Sequence, residues 1–443
     1  MPSFPNNSFA FAAVLAVCLV SMMNEAFASP QLGGVSQSDG DAGQSEPISS
    51  SSQEKQSHGS LTSGFLETMG RPIGFSMGFF ELYAPGQAAE SVVDRNAVYT
   101  LVRPRIFART RTKRSQLQLE YSFGYRQYNR HHEVRSAEHT AILDYSYQLS
   151  RNTTLHISDD FRSQFNDRGV LPTSSAPVLY QPSFAQGLYV PGERSTTNSL
   201  LTGISYRFGR RSTVTTFTSY DLWRYGTTTF GDSHGIQAGI RGDLQISKWF
   251  FLDSGYSHYL NLVPGKLQST NIHRLQAGGL KFRPRRTVEL YVSGGADSTR
   301  LQDRQHTIGS YEGGISKVSG STLLSLVYHR GFSVAIGPQS TVNGHVVSAT
   351  LSQWLSRRIS IQATSSYMRG FSLNKESKLS YLGANAELQI VLQRHMLYSV
   401  QYSYISQHGT ALTSNQLLLN RYTITTGLQF MVPSLSGRER GTR

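Results

Sequence analysis

The stretch from Leu117 to Arg126 reads LQLEYSFGYR, and apolar and polar residues alternate through it without a break. Side chains two residues apart lie on the same side of a β-strand, so this period predicts a strand with one apolar and one polar face. Gln118, Glu120 and Arg126 belong to the polar face. The apolar face carries Leu117, Leu119, Tyr121, Phe123 and Tyr125.

The same alternation recurs along the chain, for example around Leu143, Ile240 and Leu388, and eighteen such segments can be counted between residues 73 and 430. Short basic connections, such as 109–115, alternate with longer polar ones, such as 335–343. An even number of strands with tight turns at one end and long loops at the other is typical of a bacterial membrane barrel. The pattern therefore predicts an all-β protein, a transmembrane antiparallel up-and-down β-barrel of about 18 strands.

Composition excludes several other classes of protein. The chain has 443 residues, a net charge of +14 and 38% hydrophobic residues, and no apolar run reaches the ~20 residues of a membrane-spanning helix. Its one cysteine, Cys18, lies near the N-terminus, which excludes a disulfide framework. The basic turns are spread one at a time along a single rim, so we expect them to face anionic lipid headgroups, and we expect no nucleic-acid partner.

The N-terminal region predicts export. An apolar stretch at 9–23 is followed by Ala26-Phe27-Ala28, a small-x-small cleavage site, so residues 1–28 are predicted to be a signal peptide and Ser29 the mature N-terminus. Residues 29–72, rich in Ser, Gln and Gly, are expected to be a disordered periplasmic linker. The barrel is expected over 73–430, with a basic periplasmic tail at 431–443. These features predict the outer membrane of a Gram-negative-type bacterium.

The last predicted strand carries an assembly signal. Its apolar face holds Tyr422, Ile424, Leu428 and Phe430 at alternate positions, which resembles the C-terminal signature recognised by the outer-membrane assembly machinery. The sequence departs from that signature because thirteen residues follow Phe430.

Taken together, the export signal, the Ser-rich linker, the aromatic-rich even-stranded meander and the short Arg turns resemble a bacterial outer-membrane porin. Within that class the chain is similar to the β-barrel porin type 2 family, which is associated with exopolysaccharide-producing bacteria. The resemblance implies an outer-membrane channel and supplies no site residues.

The polar faces of the strands are expected to line the lumen. The candidate pore-lining residues are Arg103, Arg105, Arg126, Arg162, Arg241, Glu120, Asp144 and Asp243. Facing rows of Arg and carboxylates could orient polar solutes in a constriction. Alternatively, these charges form packed ion pairs that stiffen a wide barrel.

Aromatic residues and one loop suggest further features. Trp249 and Trp354 lie beside short turns and are expected in an interfacial girdle. The long loop 165–196 is unusually apolar, so we expect it to fold inward and face the wall that carries Arg103, Arg105 and Arg126. The alternative is a surface loop that packs on other loops or on a partner subunit.

Three functions remain open at this stage. The first is a channel for passive or weakly selective passage of small polar solutes. The second is the barrel of an exopolysaccharide export system, and the third is a plugged barrel with a structural or surface-interaction role. No HExxH motif occurs, and the histidines show no paired metal-ligand spacing, so we expect no enzyme activity, no metal and no cofactor. The expected partners are outer-membrane lipids and lipopolysaccharide, the assembly machinery, and either a second copy of the chain or periplasmic export proteins.

Overall fold

The computed structural model describes residues 73–432, apart from 86–95, 130–134, 166–184, 188–193, 209–211, 226–231, 263–269, 286, 302–303, 320, 337–339, 374–377, 394 and 411–415. The predicted signal peptide, the whole predicted linker and most of the predicted tail therefore lie outside the described residues. The strands are β1 Ile73–Pro85, β2 Asn96–Arg111, β3 Ser115–Tyr128, β4 Arg135–Gln148, β5 Thr153–Phe165, β6 Ala185–Gly187, β7 Arg194–Phe208, β8 Ser212–Tyr225, β9 Ser233–Gln245, β10 Phe250–Leu262, β11 Thr270–Arg285, β12 Val288–Leu301, β13 Arg304–Ser319, β14 Thr322–Ile336, β15 Ser340–Trp354, β16 Ile359–Ser372, β17 Lys378–Gln393, β18 Met396–Thr410 and β19 Gln416–Val432.

Eighteen of these strands form a closed antiparallel ring. Each pairs with the neighbouring long strand in the chain, and β1 pairs with β19 from Phe75↔Val432 to Tyr83↔Ile424. Closure pairs every long strand on both sides, although β13 and β14 pair only as far as Tyr311↔Arg330. The predicted eighteen-stranded all-β barrel is confirmed. The three-residue strand β6 is an addition that the sequence pattern did not predict.

The connections differ at the two ends of the barrel. At one end, called here the short-turn end, no connection exceeds four residues, as at 112–114 and 355–358. At the other end, the loop end, the chain from β5 to β7 runs through 166–193. Two loop-end connections are short, 302–303 and 337–339. The prediction of a long loop at 335–343 is therefore wrong, because β14 and β15 continue their pairing through that region.

The two faces of the wall carry opposite kinds of residue. Apolar side chains lie exposed on the convex face, and Leu119 and Val292 are 47% and 61% exposed. Polar side chains on the concave face are buried, and Arg126 is 0% exposed. The concave face is identified by ion pairs that reach over an intervening strand, such as the pair from Arg103 on β2 to Glu138 on β4. A water-soluble protein has the reverse distribution.

Small apolar clusters lie on the inner face near both ends of the barrel. Near the loop end Leu82, Tyr99 and Leu101 are fully buried together. Near the short-turn end Phe107 and Met431 form a cluster.

The two tryptophans predicted for an interfacial girdle lie in different surroundings. Trp249 is exposed in the turn between β9 and β10, with the Lys248 amine 4.3 Å from the centre of its ring. Trp354 lies on the inner face, where it packs against the cluster of Phe107 and Met431, so the prediction is wrong for Trp354. The strand period places Trp354 inward, and proximity to a turn does not override that period.

Candidate functional site

The inner face of β2 to β5 carries the first charged wall. Glu138 on β4 accepts from Arg103, with nitrogen and oxygen 3.0 Å apart, and it also pairs with the buried Arg126. The Arg126 guanidinium lies 4.4 Å from the centre of the Tyr99 ring. Arg105 pairs with Glu120 on the neighbouring strand. This part of the wall is therefore built from ion pairs between strands and not from a row of separate charges.

On β5 the same wall ends in a local pair. Arg162 donates two hydrogen bonds to Asp160 of the same strand, at 2.8 and 2.6 Å. Asp144 lies on the same face, opposite Gln118 on β3 and Ser158 on β5.

The inner face of β9 to β13 carries the second charged wall. Asp253 pairs with Arg241, accepts a hydrogen bond from the Gln276 amide at 2.8 Å, and lies 3.7 Å from the Lys281 amine. Lys281 also pairs with Asp243. Here too each carboxylate neutralises cations from neighbouring strands.

All eight candidate residues lie on the inner face, in two groups on separate parts of the ring. Their partners Glu138 and Lys281 were not among the predicted residues. Both stand on the polar face by the same period of two that identified Asp144 and Arg241, so the signal was present in the sequence. Register was the missing information, because it decides which charges meet across strands.

A third part of the interior carries few charges, and Arg421 on β19 is its one described basic residue. On β15 to β19 the inner face carries hydroxyl and amide side chains, and Gln401 donates to Asn385 at 3.2 Å. Gln389 donates to Glu387, the one acidic residue on the described inner face of these strands, at 2.7 Å. The remaining members include Ser348, Thr350, Ser352, Gln362, Thr364, Ser399, Ser403, Thr423 and Thr425.

The hairpin of β14 and β15 leaves the wall and enters the barrel. By alternation Phe332 and Val334 belong to the outer face, yet both are 0% exposed. They pack against Tyr225, Tyr259 and Ile272, which lie on the inner face of β8, β10 and β11. The loop-end part of this hairpin therefore lies across the interior, against the upper part of the second charged wall.

A line of glycines marks the bend. Gly331 on β14 pairs directly with Gly344 on β15, which pairs directly with Gly370 on β16. A Cβ at Gly331 would lie 2.4 Å from Oδ2 of Asp297, and a Cβ at Gly370 would lie 2.3 Å from a methyl carbon of Val342. Close approach of the hairpin to the inner wall thus requires residues without side chains at this line.

An ion pair holds the bent strand. Pairing of β14 with β13 ends at Tyr311↔Arg330, so the next backbone groups of β14 lose their strand partner. Asp297 on β12 accepts from Arg274 at 2.9 and 2.7 Å and from the Phe332 N–H at 2.9 Å. Arg274 in turn donates to the Phe332 carbonyl at 3.1 Å. Arg274 and Asp297, called here the clasp, therefore replace the missing strand for Phe332.

The long loop reaches the same hairpin. Its described residues, Ala185–Gly187, form β6 and pair in parallel with Val334–Ile336 of β14. An unpaired strand edge accepts a further strand, which explains this contact. The described part of the loop therefore meets the hairpin and not the predicted wall of Arg103, Arg105 and Arg126. Segments 166–184 and 188–193 lie outside the described residues.

Comparisons with known proteins give the following. No family model matches the chain, and no curated protein matches it. Solved structures to which it is similar include the FrpB iron transporter (F3-3 variant) from Neisseria meningitidis, with 9% identity, a TM-score of 0.43, and coverage of 84% of this chain and 83% of that one. OccAB4 of Acinetobacter baumannii gives 10% identity, a TM-score of 0.38, and coverage of 82% and 98%. OpdQ of Pseudomonas aeruginosa gives 8% identity, a TM-score of 0.39, and coverage of 82% and 97%.

Two features are absent from the described residues. Within the strands and turns that the structure describes, no group of three or more His, Cys, Asp or Glu side chains could hold a metal ion. In the same residues no helix is long and apolar enough to cross a membrane.

Proposed function

We propose that this chain is an outer-membrane β-barrel channel for small polar solutes, constricted by the β14–β15 hairpin. One observation carries the proposal: the closed wall has an apolar, exposed outer face and a polar, charged inner face. An exposed apolar band of this size is unfavourable in water and favourable in lipid. A barrel of 16 to 18 strands leaves an aqueous interior, so the polar inner face can line a path for solutes.

The distribution of inner charges favours polar solutes over one sign of ion. Cations in both charged walls are neutralised by carboxylates at hydrogen-bonding distance, as Arg103 is by Glu138. The wall on β15 to β19 offers amide and hydroxyl groups, which both donate and accept hydrogen bonds. A solute rich in hydroxyl groups matches that surface better than a compact ion does. The candidate residues would act here by shaping the field across the path.

The hairpin supports a narrow path. Phe332 and Val334 cover the inner face at Tyr225, Tyr259 and Ile272, so they occupy part of the cross-section near the loop end. We expect a small conductance in the intact protein, because the open area is less than that of an empty eighteen-stranded barrel.

Single-channel recording in a planar lipid bilayer tests the proposal. The intact protein is compared with a variant in which residues 333–342 are replaced by Asn-Gly, a sequence that closes a two-residue hairpin between the paired residues Phe332 and Asn343. We expect the conductance to rise several-fold in the variant. Reversal potentials in a salt gradient are expected to remain near those of a weakly selective pore.

The control is an outer-face substitution, Arg224→Gln, which leaves the interior unchanged. Equal, non-zero conductance of the intact protein and the shortened variant would contradict the constriction. Absence of conductance in both would contradict the channel and favour the plugged structural barrel, which the buried hairpin supports as the second candidate function.

Other parts of the proposal come from the sequence. The residues of the predicted assembly signal lie on the outer face of β19; they are Tyr422, Ile424, Leu428 and Phe430. This arrangement supports recognition by the outer-membrane assembly machinery. Phe430 contacts Phe79 across the closing seam, with ring centres 6.3 Å apart. The similarity to the β-barrel porin type 2 family, export of an exopolysaccharide, self-association and export partners stay predictions.

A further inference from the structure

A row of basic and histidine side chains crosses the outer face of β14 to β18 near the loop end. Arg330 on β14 lies directly opposite His345 on β15, which lies directly opposite Arg369 on β16. The row continues through Ser380 on β17 to His408 on β18. His345, Arg369 and His408 are exposed.

The row has no carboxylate partner among the described residues. Neighbouring strands are about 4.8 Å apart, so Arg330 and Arg369 are separated by about 10 Å with a histidine between them. Two like charges at this distance repel each other where the surroundings are apolar, and a nearby anion removes that repulsion. From β12 to β19, the acidic residues that the structure describes all lie on the inner face; they are Glu289, Asp297, Glu312 and Glu387. The counter-charge is therefore expected from outside the barrel.

Aromatic neighbours position the row. The Tyr328 hydroxyl lies 2.9 Å from Nδ1 of His345, and this hydrogen bond does not use Nε2 of that ring. The Arg330 guanidinium lies over the Tyr311 ring, 5.9 Å from its centre. These contacts hold His345 and Arg330 in place beside their aromatic neighbours.

The height of the row fits the boundary between acyl chains and headgroups. A strand that rises about 3.3 Å per residue and tilts by about 40° advances about 2.5 Å per residue along the barrel axis. Arg330 comes eight residues after Thr322, the first residue of β14, and His408 comes twelve after Met396, the first residue of β18. The row therefore lies about 20–30 Å above the short-turn end, beside the upper limit of an apolar band about 25 Å tall.

We propose that Tyr311, Arg330, His345, Arg369 and His408 form a docking site for an outer-leaflet glycolipid that carries two phosphate groups. A guanidinium binds phosphate through two parallel hydrogen bonds, and two of them about 10 Å apart can each take one phosphate. The acyl chains of the same lipid cover the exposed apolar residues below the row. The inference depends on membrane insertion and not on conduction, so it can hold even if the barrel carries no current.

Native mass spectrometry of the full chain tests this proposal, with diphosphorylated lipid A, the same lipid without phosphates, and phosphatidylethanolamine each added to detergent micelles. The test variant is Arg330→Gln with Arg369→Gln. The control variant, Arg224→Gln with Arg300→Gln, removes the same charge from exposed positions outside the row. Heat-modified migration on gels confirms that each variant is folded.

The intact protein and the control are expected to retain the diphosphorylated lipid at least tenfold more than the dephosphorylated one, and the test variant is expected to lose that preference. Equal loss in both variants would overturn the proposal, because it would indicate general charge attraction. Equal retention of all three lipids by the intact protein would also overturn it. A dimer that forms without lipid and dissociates only in the test variant would assign the row to a second copy of the chain instead.

Discussion

Replacement of Asp297 by Ala should release the β14–β15 hairpin from the interior while the barrel stays closed. Asp297 is 0% exposed and accepts three hydrogen bonds, two from Arg274 and one from the Phe332 N–H. The substitution leaves a guanidinium that is 9% exposed without its carboxylate, and loss of one partner from a buried pair costs about 3–5 kcal/mol. Glu312 also interacts electrostatically with Arg274, so we expect the lower end, about 3 kcal/mol.

The assay uses Trp223 as a local reporter, because this residue packs against the cluster that holds Phe332 and Val334. In a background in which the other two tryptophans, Trp249 and Trp354, are replaced by Phe, urea titration in lipid vesicles measures the free energy of unfolding. The wavelength of Trp223 emission without urea reports whether the hairpin is packed against its cluster. We expect Asp297→Ala to shift Trp223 emission to longer wavelength before the barrel unfolds.

The matched control is Asp160→Ala, which breaks the pair with Arg162 on a wall that the hairpin does not touch. It should lower the free energy of unfolding and leave Trp223 emission unchanged. If Asp297→Ala stays within about 1 kcal/mol of the intact protein and does not shift Trp223 emission, the clasp does not hold the hairpin and the reasoning fails.

Three further predictions concern the two faces, the bend and the N-terminus. Leu119→Arg, in the lower half of the apolar band, should lower the free energy of unfolding of the barrel by about 2 kcal/mol. Gln118→Arg on the inner face should lower it far less. Equal loss of heat-resistant barrel on gels would contradict the assignment of the two faces. Gly331→Ala should displace the hairpin and so raise the conductance recorded in a planar bilayer. Gly242→Ala is the control, because nothing lies within 4 Å of the added carbon, and it should leave the conductance unchanged. Sequencing of the mature protein should begin at Ser29; retention of residues 1–28 would contradict the signal peptide.

Most of the barrel could be predicted because one local rule governs it. A residue's side of the wall depends only on the parity of its position in a strand, so Leu119, Ile240 and Arg126 were placed correctly from alternation alone. The charged pairs required more, since Arg103 meets Glu138 over an intervening strand. That contact depends on the register of three strands and on the curvature of the ring, and neither can be read from one segment.

Trp354 shows how position near a turn can mislead. The short turn that follows Trp354 suggested an interfacial tryptophan, yet alternation from Ser352 places Trp354 on the inner face, where it packs against Phe107 and Met431. The long loop shows a different limit. Its apolar composition predicted an inward course, but its described residues pair with Val334–Ile336, an edge that exists only because β14 has left β13.

The inward hairpin was missed because its sequence obeys the same alternation as the wall. Residues 331–336 continue the pattern of β14, and nothing in Phe332 or Val334 marks them as lumenal. The signal lay instead in the combination of Gly331, Gly344 and Gly370, which align only once register is known. A strand that leaves its neighbour must replace the lost backbone partners. In this protein the replacement is supplied first by the clasp and then by β6, so three distant parts of the chain support one bend. This dependence is why a single carboxylate, Asp297, is expected to control whether the interior is constricted.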